Sequence, residues 1–193
     1  MTTGTEMPTE PLYKRLLGPK FEDLPDEIQA MHNLHGKMQA VGTAQIERGS
    51  NVFTRFIAAL IGFPRSGADV PVAVTFTQTG EGEEWKRDFA GIILHTKQDL
   101  GRGKYAGYLI ERFGPWSFIL AVPSGPDGLR LEPRGMQFLG LPMPAFVWPR
   151  ISAGESVVGG QFIFDVSLDL PFLGRLVHYR GTLCPISSIT AAS

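Results

Sequence analysis

A change of hydrophobic period near residue 37 constrains the fold of this chain more than any other feature. Before it, apolar residues recur at helical spacing; after it, they alternate with polar residues, as between Lys37 and Arg48. Alternation of period two is typical of strands with one buried face. The clearest case has Phe162, Phe164, Val166, Leu168 and Leu170 on one face. Most of the chain is therefore predicted to form β-structure.

Short turns separate these strands, including Gly80-Glu81-Gly82, Pro126-Asp127-Gly128 and Gly159-Gly160. Sequential strands joined in this way favour an antiparallel meander, and eight or nine of them tend to curl until their edges are covered. The predicted fold is α+β, with a strongly curved antiparallel sheet forming a barrel or half-barrel. A helix-grip arrangement is the alternative, but it normally ends in a long helix, and 184–193 is short and contains Pro185.

Helical patterns appear in two places. Two short helices, over 12–17 and from Pro25 to Gly36, should close one end or one side of the sheet. A third helix, capped by Asn51 and spanning 52–61, follows the first strand and should lie against a rim. Residues 1–11 are predicted to be a disordered tail, and 12–193 a single domain.

Composition excludes several classes of protein. Eighteen basic and 19 acidic residues give a net charge of -1, which argues against nucleic-acid binding. A single cysteine, Cys184, excludes an internal disulfide and a four-cysteine zinc site. We see no secretory signal and no apolar run near 18 residues, so we expect a cytoplasmic protein without a transmembrane segment.

No motif predicts a cofactor or a metal. The run GRGKYA at 101–106 leads into a β pattern rather than a helix, so a hairpin turn is favoured over a dinucleotide site. His32 and His35 are spaced to share a helix face, but nothing selects a third ligand, and a polar face is the better interpretation. We therefore predict neither cofactor nor metal.

Charged residues on apolar strand faces are the candidate site. Arg87 lies between Trp85 and Phe89, and Glu111 shares a face with Leu109 and Phe113. A charge there must find a partner or change its protonation state. One interpretation is a structural Arg87–Glu111 ion pair; the other is a cavity carboxylate acting as an acid or base.

Three further features have two interpretations each. Asp165 and His178 belong to polar faces that either meet solvent or line a cavity. The helix 52–61, with Phe56, and the proline-rich segment 139–149, with Trp148, are either plugs of the barrel or a lid and lip around an apolar pocket. The ligand-binding candidates are thus Arg87, Glu111, Phe56, Trp148, Asp165 and His178.

The chain also resembles a bacterial family of uncharacterised domains, whose members occur alone or as C-terminal domains of saccharopine-dehydrogenase-like proteins. The resemblance spans about residues 12–184 and rests on VGTAQIERG at 41–49, FP at 63–64, DVPV at 69–72, EWKRDF at 84–89, ERFGP at 111–115, LGLPMP at 139–144, GQFIFDV at 160–166 and LGRLVHYRG at 173–181. It implies no assigned activity and no catalytic residues. A fused dinucleotide-binding half is absent here, so we expect no oxidoreductase activity.

Three functions remain open. The first is binding of a small apolar or amphipathic molecule in a barrel cavity. The second is an accessory module that docks onto a reductase-like protein through 52–61 and 139–149. The third is an enzyme that uses Glu111 or Asp165 as acid or base, which is the least favoured because no nucleophile is recognisable.

Overall fold

Ten antiparallel strands form a closed barrel in the computed structural model, which describes residues 10–186. Two further strands of two residues each pair with the barrel. In chain order the strands are β1 (Lys37–Arg48), β2 (Gly67–Thr79), β3 (Gly82–Phe89), β4 (Ile92–Leu100), β5 (Leu109–Phe113), β6 (Trp116–Ala121), β7 (Ser124–Gly125), β8 (Gly128–Phe138), β9 (Leu141–Pro142), β10 (Arg150–Val158), β11 (Gln161–Leu170) and β12 (Gly174–Ile186). The predicted curved antiparallel sheet is confirmed, in its closed form. Residues 1–9 of the predicted tail lie outside the described residues.

Two pairings close the circle. β12 pairs with β1 along most of its length, so the last described strand lies beside the first. β8 pairs with β10 through Leu131 and Ala153 and their neighbours, across the segment that separates them in sequence. β10 was not among the predicted strands, because Ser152, Gly154, Glu155 and Ser156 interrupt its apolar pattern. Without this strand the sheet would have been open.

Strand alternation places the apolar faces inside the barrel. Phe162 and Phe164 of β11 are buried, as are Ala40, Ala44 and Ile46 of β1. Between Ala40 and Ala44, Gly42 packs against β12 so closely that a Cβ would lie 1.8 Å from the Thr182 carbonyl oxygen. Glycine is therefore required at this position of β1, where the backbone of β12 approaches closely.

The first two helices, α1 (Leu12–Leu17) and α2 (Asp26–His32), close one end of the barrel. A 3₁₀ helix, Gly18–Asp23, joins them. Tyr13, Ile28 and Met31 are almost fully buried there. Of the two predicted placements, at one end or at one side of the sheet, the structure has the first, and we refer to this end as the α1–α2 end.

The third helix, α3 (Val52–Ile61), lies at the opposite end, which we call the α3 end. The Asn51 side chain accepts a hydrogen bond from the Phe53 backbone N–H at 2.8 Å, as predicted for the helix cap. Gly62 ends the helix with a positive φ of 84°. Strand register brings the 139–149 segment, with its 3₁₀ helix Ala145–Val147, and the β11–β12 turn to the same end.

Candidate functional site

A cavity of about 350 Å³ lies inside the barrel at its α3 end. This volume is within the lower part of the range for small-molecule sites, roughly 300–1,000 Å³. Most of its wall is apolar and comes from α3, the 139–149 segment and the barrel strands. The apolar lining consists of Ile57, Ile61, Phe63, Leu94, Phe113, Trp116, Phe118, Leu120, Leu131, Met136, Val147, Pro149, Ile151, Ala153, Val166, Leu168, Leu170 and Leu176.

Four polar residues form one corner of this cavity: Arg87, Glu111, Thr96 and Tyr179. Arg87 Nη2 lies 3.5 Å from Glu111 Oε1, and Arg87 Nη1 donates to Thr96 Oγ1 at 2.8 Å. The Arg87 and Glu111 side chains are only 17% and 18% exposed. The predicted ion pair is therefore present, and it also faces the cavity.

A hydrogen-bonded chain holds this corner in place from behind. Gln98 Nε2 donates to Glu111 Oε1 at 3.3 Å, and the Tyr13 hydroxyl donates to Gln98 Oε1 at 3.1 Å. Gln98 and Tyr13 are fully buried, so the chain links the cavity to the α1–α2 end. The guanidinium of Arg87 also lies 4.8 Å from the centre of the Trp85 ring. These contacts fix the orientation of both charges.

Tyr179 completes the polar corner. Burial raises the pKa of its hydroxyl; the positive charge of Arg87 opposes this shift and the Glu111 carboxylate adds to it. Within residues 10–186 no group forms a hydrogen bond with this hydroxyl. A neutral hydroxyl in an apolar cavity suits the polar end of a ligand.

Phe56 and Trp148 belong to the two segments that border the cavity, but their side chains do not line it. Phe56 projects outward and is 68% exposed. The Trp148 indole N–H donates to the Met143 carbonyl at 2.8 Å, which braces the 139–149 segment. The cavity wall is formed by their neighbours instead, because helical spacing turns Ile57 inward when Phe56 points out.

Asp165 and His178 lie on the outer face of the barrel, away from the cavity. His178 Nε2 is 2.9 Å from Asp165 Oδ1, and Arg180 Nε is 3.8 Å from Asp165 Oδ2. Alternation along β11 explains the placement, since Phe164 and Val166 on either side face inward. Of the two interpretations offered for these polar faces, the solvent-facing one is therefore correct.

A second polar cluster is buried near the α1–α2 end. His32 Nε2 lies 2.6 Å from Glu155 Oε2, and the Trp85 indole N–H donates to Glu83 Oε2 at 2.9 Å. His35 is exposed, so the two histidines do not share a face. In the part of the chain that the structure describes, no three histidine, cysteine or acidic side chains are grouped to hold a metal ion.

The buried carboxyl group of Glu83 should make the stability of the fold depend on pH. Burial raises its pKa above the ordinary 4.5, while the Trp85 hydrogen bond and His32 oppose the shift. The folded state thus holds this proton more tightly than the unfolded state, and stability is lost as pH rises from about 4.5 through the raised pKa. Glu83→Gln mimics the protonated form, so the variant should gain stability over the wild type in that window, by at most about 1.4 kcal/mol per pH unit. Urea unfolding across a pH series measures it.

Glu84 provides the matched control for this measurement. A hydrogen bond from Lys97 lowers the pKa of this outward-facing neighbour below 4.5 in the folded state. The wild type therefore gains stability as pH rises from that lowered pKa to about 4.5, and Glu84→Gln, which lacks the carboxylate, should not share this gain. A difference between wild type and Glu83→Gln that stays constant with pH would contradict the role assigned to Glu83.

Several lining residues were not singled out from the sequence. Thr96 and Tyr179 looked like ordinary strand residues, and Ile57 and Ile61 looked like helix core. The pairing of β4 with β3 places Thr96 beside Arg87, and Tyr179 of β12 reaches the same corner because closure of the barrel makes β12 and β3 face one interior. Arg87, Glu111 and Tyr179 all occupy inward-facing positions in the alternation of their strands. This shared feature is a signal that could have identified Tyr179 from the sequence.

Comparison with known proteins gives one match. The sequence model of a family described as a domain of unknown function (DUF4166) matches residues 24–183. No curated protein matches the chain, and no solved structure does. Across residues 10–186, none of the helices has the length and apolar character needed to cross a membrane.

Proposed function

Because the chain belongs to the family described as a domain of unknown function (DUF4166), whose description names no activity, we propose a function from the cavity: the barrel binds a small apolar or amphipathic molecule. The observation that carries this proposal is the combination of an apolar space of about 350 Å³ with a single polar corner. Burial of the ligand's apolar part supplies the affinity, and the corner fixes its orientation.

The charges of the corner indicate which polar end is preferred. Arg87 and Glu111 already neutralise each other at 3.5 Å. A ligand carboxylate would face Glu111, and a ligand ammonium would face Arg87, at a cost in each case because the site is shielded from water. A hydroxyl or carbonyl group can instead hydrogen-bond with Tyr179 or Arg87 and bring no net charge. The proposed ligand class is therefore a neutral amphiphile.

Native mass spectrometry of the purified chain tests first for a co-purifying molecule. Binding is then measured with three probes of equal chain length: a medium-chain fatty alcohol, the matching fatty acid and the matching amine. The alcohol should bind most tightly. Equal binding of all three would show that the polar corner does not select the ligand.

Filling the cavity gives the variant test. Leu168→Trp places a large ring in the lined space and should weaken alcohol binding tenfold or more, which is about 1.4 kcal/mol. Ile163→Trp is the matched control, because it adds the same side chain to the outer face of the same strand. If both variants bind the alcohol as the wild type does, the ligand is not inside the barrel.

A second candidate is an accessory module for a reductase-like protein, in line with the association with saccharopine-dehydrogenase-like proteins that the resemblance implies. The observation that favours it is the set of exposed apolar side chains at the α3 end, Phe56 among them. Acid or base catalysis has less support: Glu111 Oε1 already accepts hydrogen bonds from Arg87 and Gln98, and Asp165 lies outside the cavity.

A further inference from the structure

Large apolar side chains are exposed together at the α3 end of the barrel. Single exposed apolar residues are ordinary, whereas several large ones at the same end of a fold indicate an interaction site. Four belong to α3, where they are 65–77% exposed, and four come from the 139–149 segment and the β11–β12 turn. We call this set the rim surface; it comprises Val52, Phe53, Phe56, Leu60, Leu139, Leu141, Phe146 and Phe172.

Folding does not account for the rim surface. α3 is anchored by Thr54 and Ala58, which are fully buried, and by Ile57 and Ile61, which face the cavity. Phe172 is 97% exposed and Leu139 is 73% exposed. Both adopt positive φ angles, of 64° and 50°, in turns where glycine or asparagine would be favoured. Each therefore contributes strain and little burial within the chain.

An arginine patch adjoins α3. Arg48, Arg55 and Arg65 line one surface pocket together with Ser50 and Ser66. Arg48 Nε donates to the Pro64 carbonyl at 2.8 Å, which holds that guanidinium between strand and loop. Burial lowers the pKa of Arg48, and the positive charges of Arg65 and Arg55 lower it further.

No carboxylate balances this patch within residues 10–186. Glu47 and Asp69, which flank it in sequence, form no ion pair with Arg48, Arg55 or Arg65. The chain as a whole has a net charge of -1, so the patch does not follow from general basicity. Arg48 donates to the Pro64 and Phe63 carbonyls, while Arg55 and Arg65 are exposed. The resulting positive surface beside apolar side chains suits an anionic partner, and guanidinium matches phosphate geometry.

We propose that the α3 end is a peripheral membrane-docking surface, with the rim surface inserted into the interface of a bilayer and Arg48, Arg55 and Arg65 on the phosphates of anionic lipids. A bilayer needs no fixed shape to receive side chains that project from separate turns, whereas a folded protein partner needs a complementary surface. Basic residues near an anionic surface each add to the attraction, and salt weakens it.

Docking in this orientation would place the cavity next to the lipid. Ile57 and Ile61 of α3, and Val147 and Pro149 of the 139–149 segment, line the cavity from the same elements that carry the rim surface. An amphiphile could thus pass between bilayer and barrel without crossing water. This last step rests on the proposed ligand-binding function; membrane docking itself does not.

Vesicle co-sedimentation of the full chain tests the proposal, with vesicles of phosphatidylcholine alone and of phosphatidylcholine mixed with phosphatidylserine. We expect binding to the mixed vesicles that added sodium chloride weakens, and much weaker binding to phosphatidylcholine. Phe56→Glu should lower the partition coefficient for the mixed vesicles at least tenfold. Val158→Glu is its control, since Val158 is exposed at the opposite end of the barrel.

Arg55→Glu should abolish the preference for anionic vesicles, with Arg130→Glu as its control on the outer wall. Circular dichroism should show that all four variants keep the fold, because the replaced side chains are exposed. Absence of binding to the mixed vesicles would overturn the proposal, and so would equal losses of binding in the rim and control variants. It would also be overturned if sedimentation velocity showed that the rim surface only joins two copies of the chain in a dimer.

Leu168→Trp separates this proposal from the ligand-binding function. The variant fills the cavity and leaves the rim surface unchanged, so it should lose alcohol binding and keep vesicle binding. A wild-type chain that binds vesicles but no alcohol would refute the cavity function alone. A chain that binds the alcohol but no vesicles would refute docking alone.

Discussion

Phe164→Ala should lower the free energy of unfolding by about 3–5 kcal/mol, the usual cost of removing a buried aromatic ring. Phe164 lies in the centre of β11, is 9% exposed and packs against Tyr179, with ring centres 6.1 Å apart. Its ring also fills the space left by Gly181, where a Cβ would lie 2.7 Å from Phe164 Cζ. Equilibrium unfolding in urea measures the loss.

Ile163→Ala is the matched control for this variant. The side chain is the neighbour of Phe164 in sequence but faces outward and is only partly buried. Its loss should be clearly smaller, at about 1 kcal/mol. A loss below about 1 kcal/mol for Phe164→Ala, or equal losses in both variants, would mean that the inward face of β11 has been assigned wrongly.

Local patterns predicted most of the barrel. Phe162 to Leu170 and Lys37 to Arg48 alternate strongly enough that their buried faces follow from the sequence. The α3 helix follows from its apolar spacing and the Asn51 cap. These features depend on residues close in sequence, so no knowledge of strand pairing is needed.

Closure of the barrel could not be predicted in the same way. It depends on β10, whose polar and glycine residues hide the inward parity of Ile151, Ala153 and Glu155. Glu155 is also the partner of His32, 123 residues away in sequence. Contacts of this range follow from register, which a single sequence does not reveal.

The candidate site shows the same division. Charges on apolar faces identified Arg87 and Glu111, because an unpaired charge there is costly wherever the strands lie. Alternation along β11 could not decide whether the face that carries Asp165 lies inside the barrel. The sequence also predicts Phe56 as a pocket residue, whereas its helical neighbour Ile57 lines the cavity. The side of a helix that faces a cavity depends on how the helix docks, which is a tertiary property.

Arg87→Met should produce the second large effect, on stability and on ligand choice together. Breaking a fully buried ion pair costs roughly 3–5 kcal/mol. Because Arg87 and Glu111 are 17% and 18% exposed, we expect a smaller loss of about 2 kcal/mol. The Glu111 carboxylate then faces the cavity without its cation, so the variant should bind the fatty amine better than the fatty alcohol.

The double variant Arg87→Met/Glu111→Leu tests whether the corner is there for stability or for the ligand. Replacing both charges with apolar side chains of similar size removes the unpaired carboxylate, so most of the lost stability should return. The affinity for the alcohol should stay below that of the wild type, because only Thr96 and Tyr179 remain as polar groups in the lining. Recovered stability together with the wild-type affinity for the alcohol would show that the ion pair only orders the barrel. Recovered stability with a weakened affinity would assign the pair to ligand recognition, which is the outcome we expect.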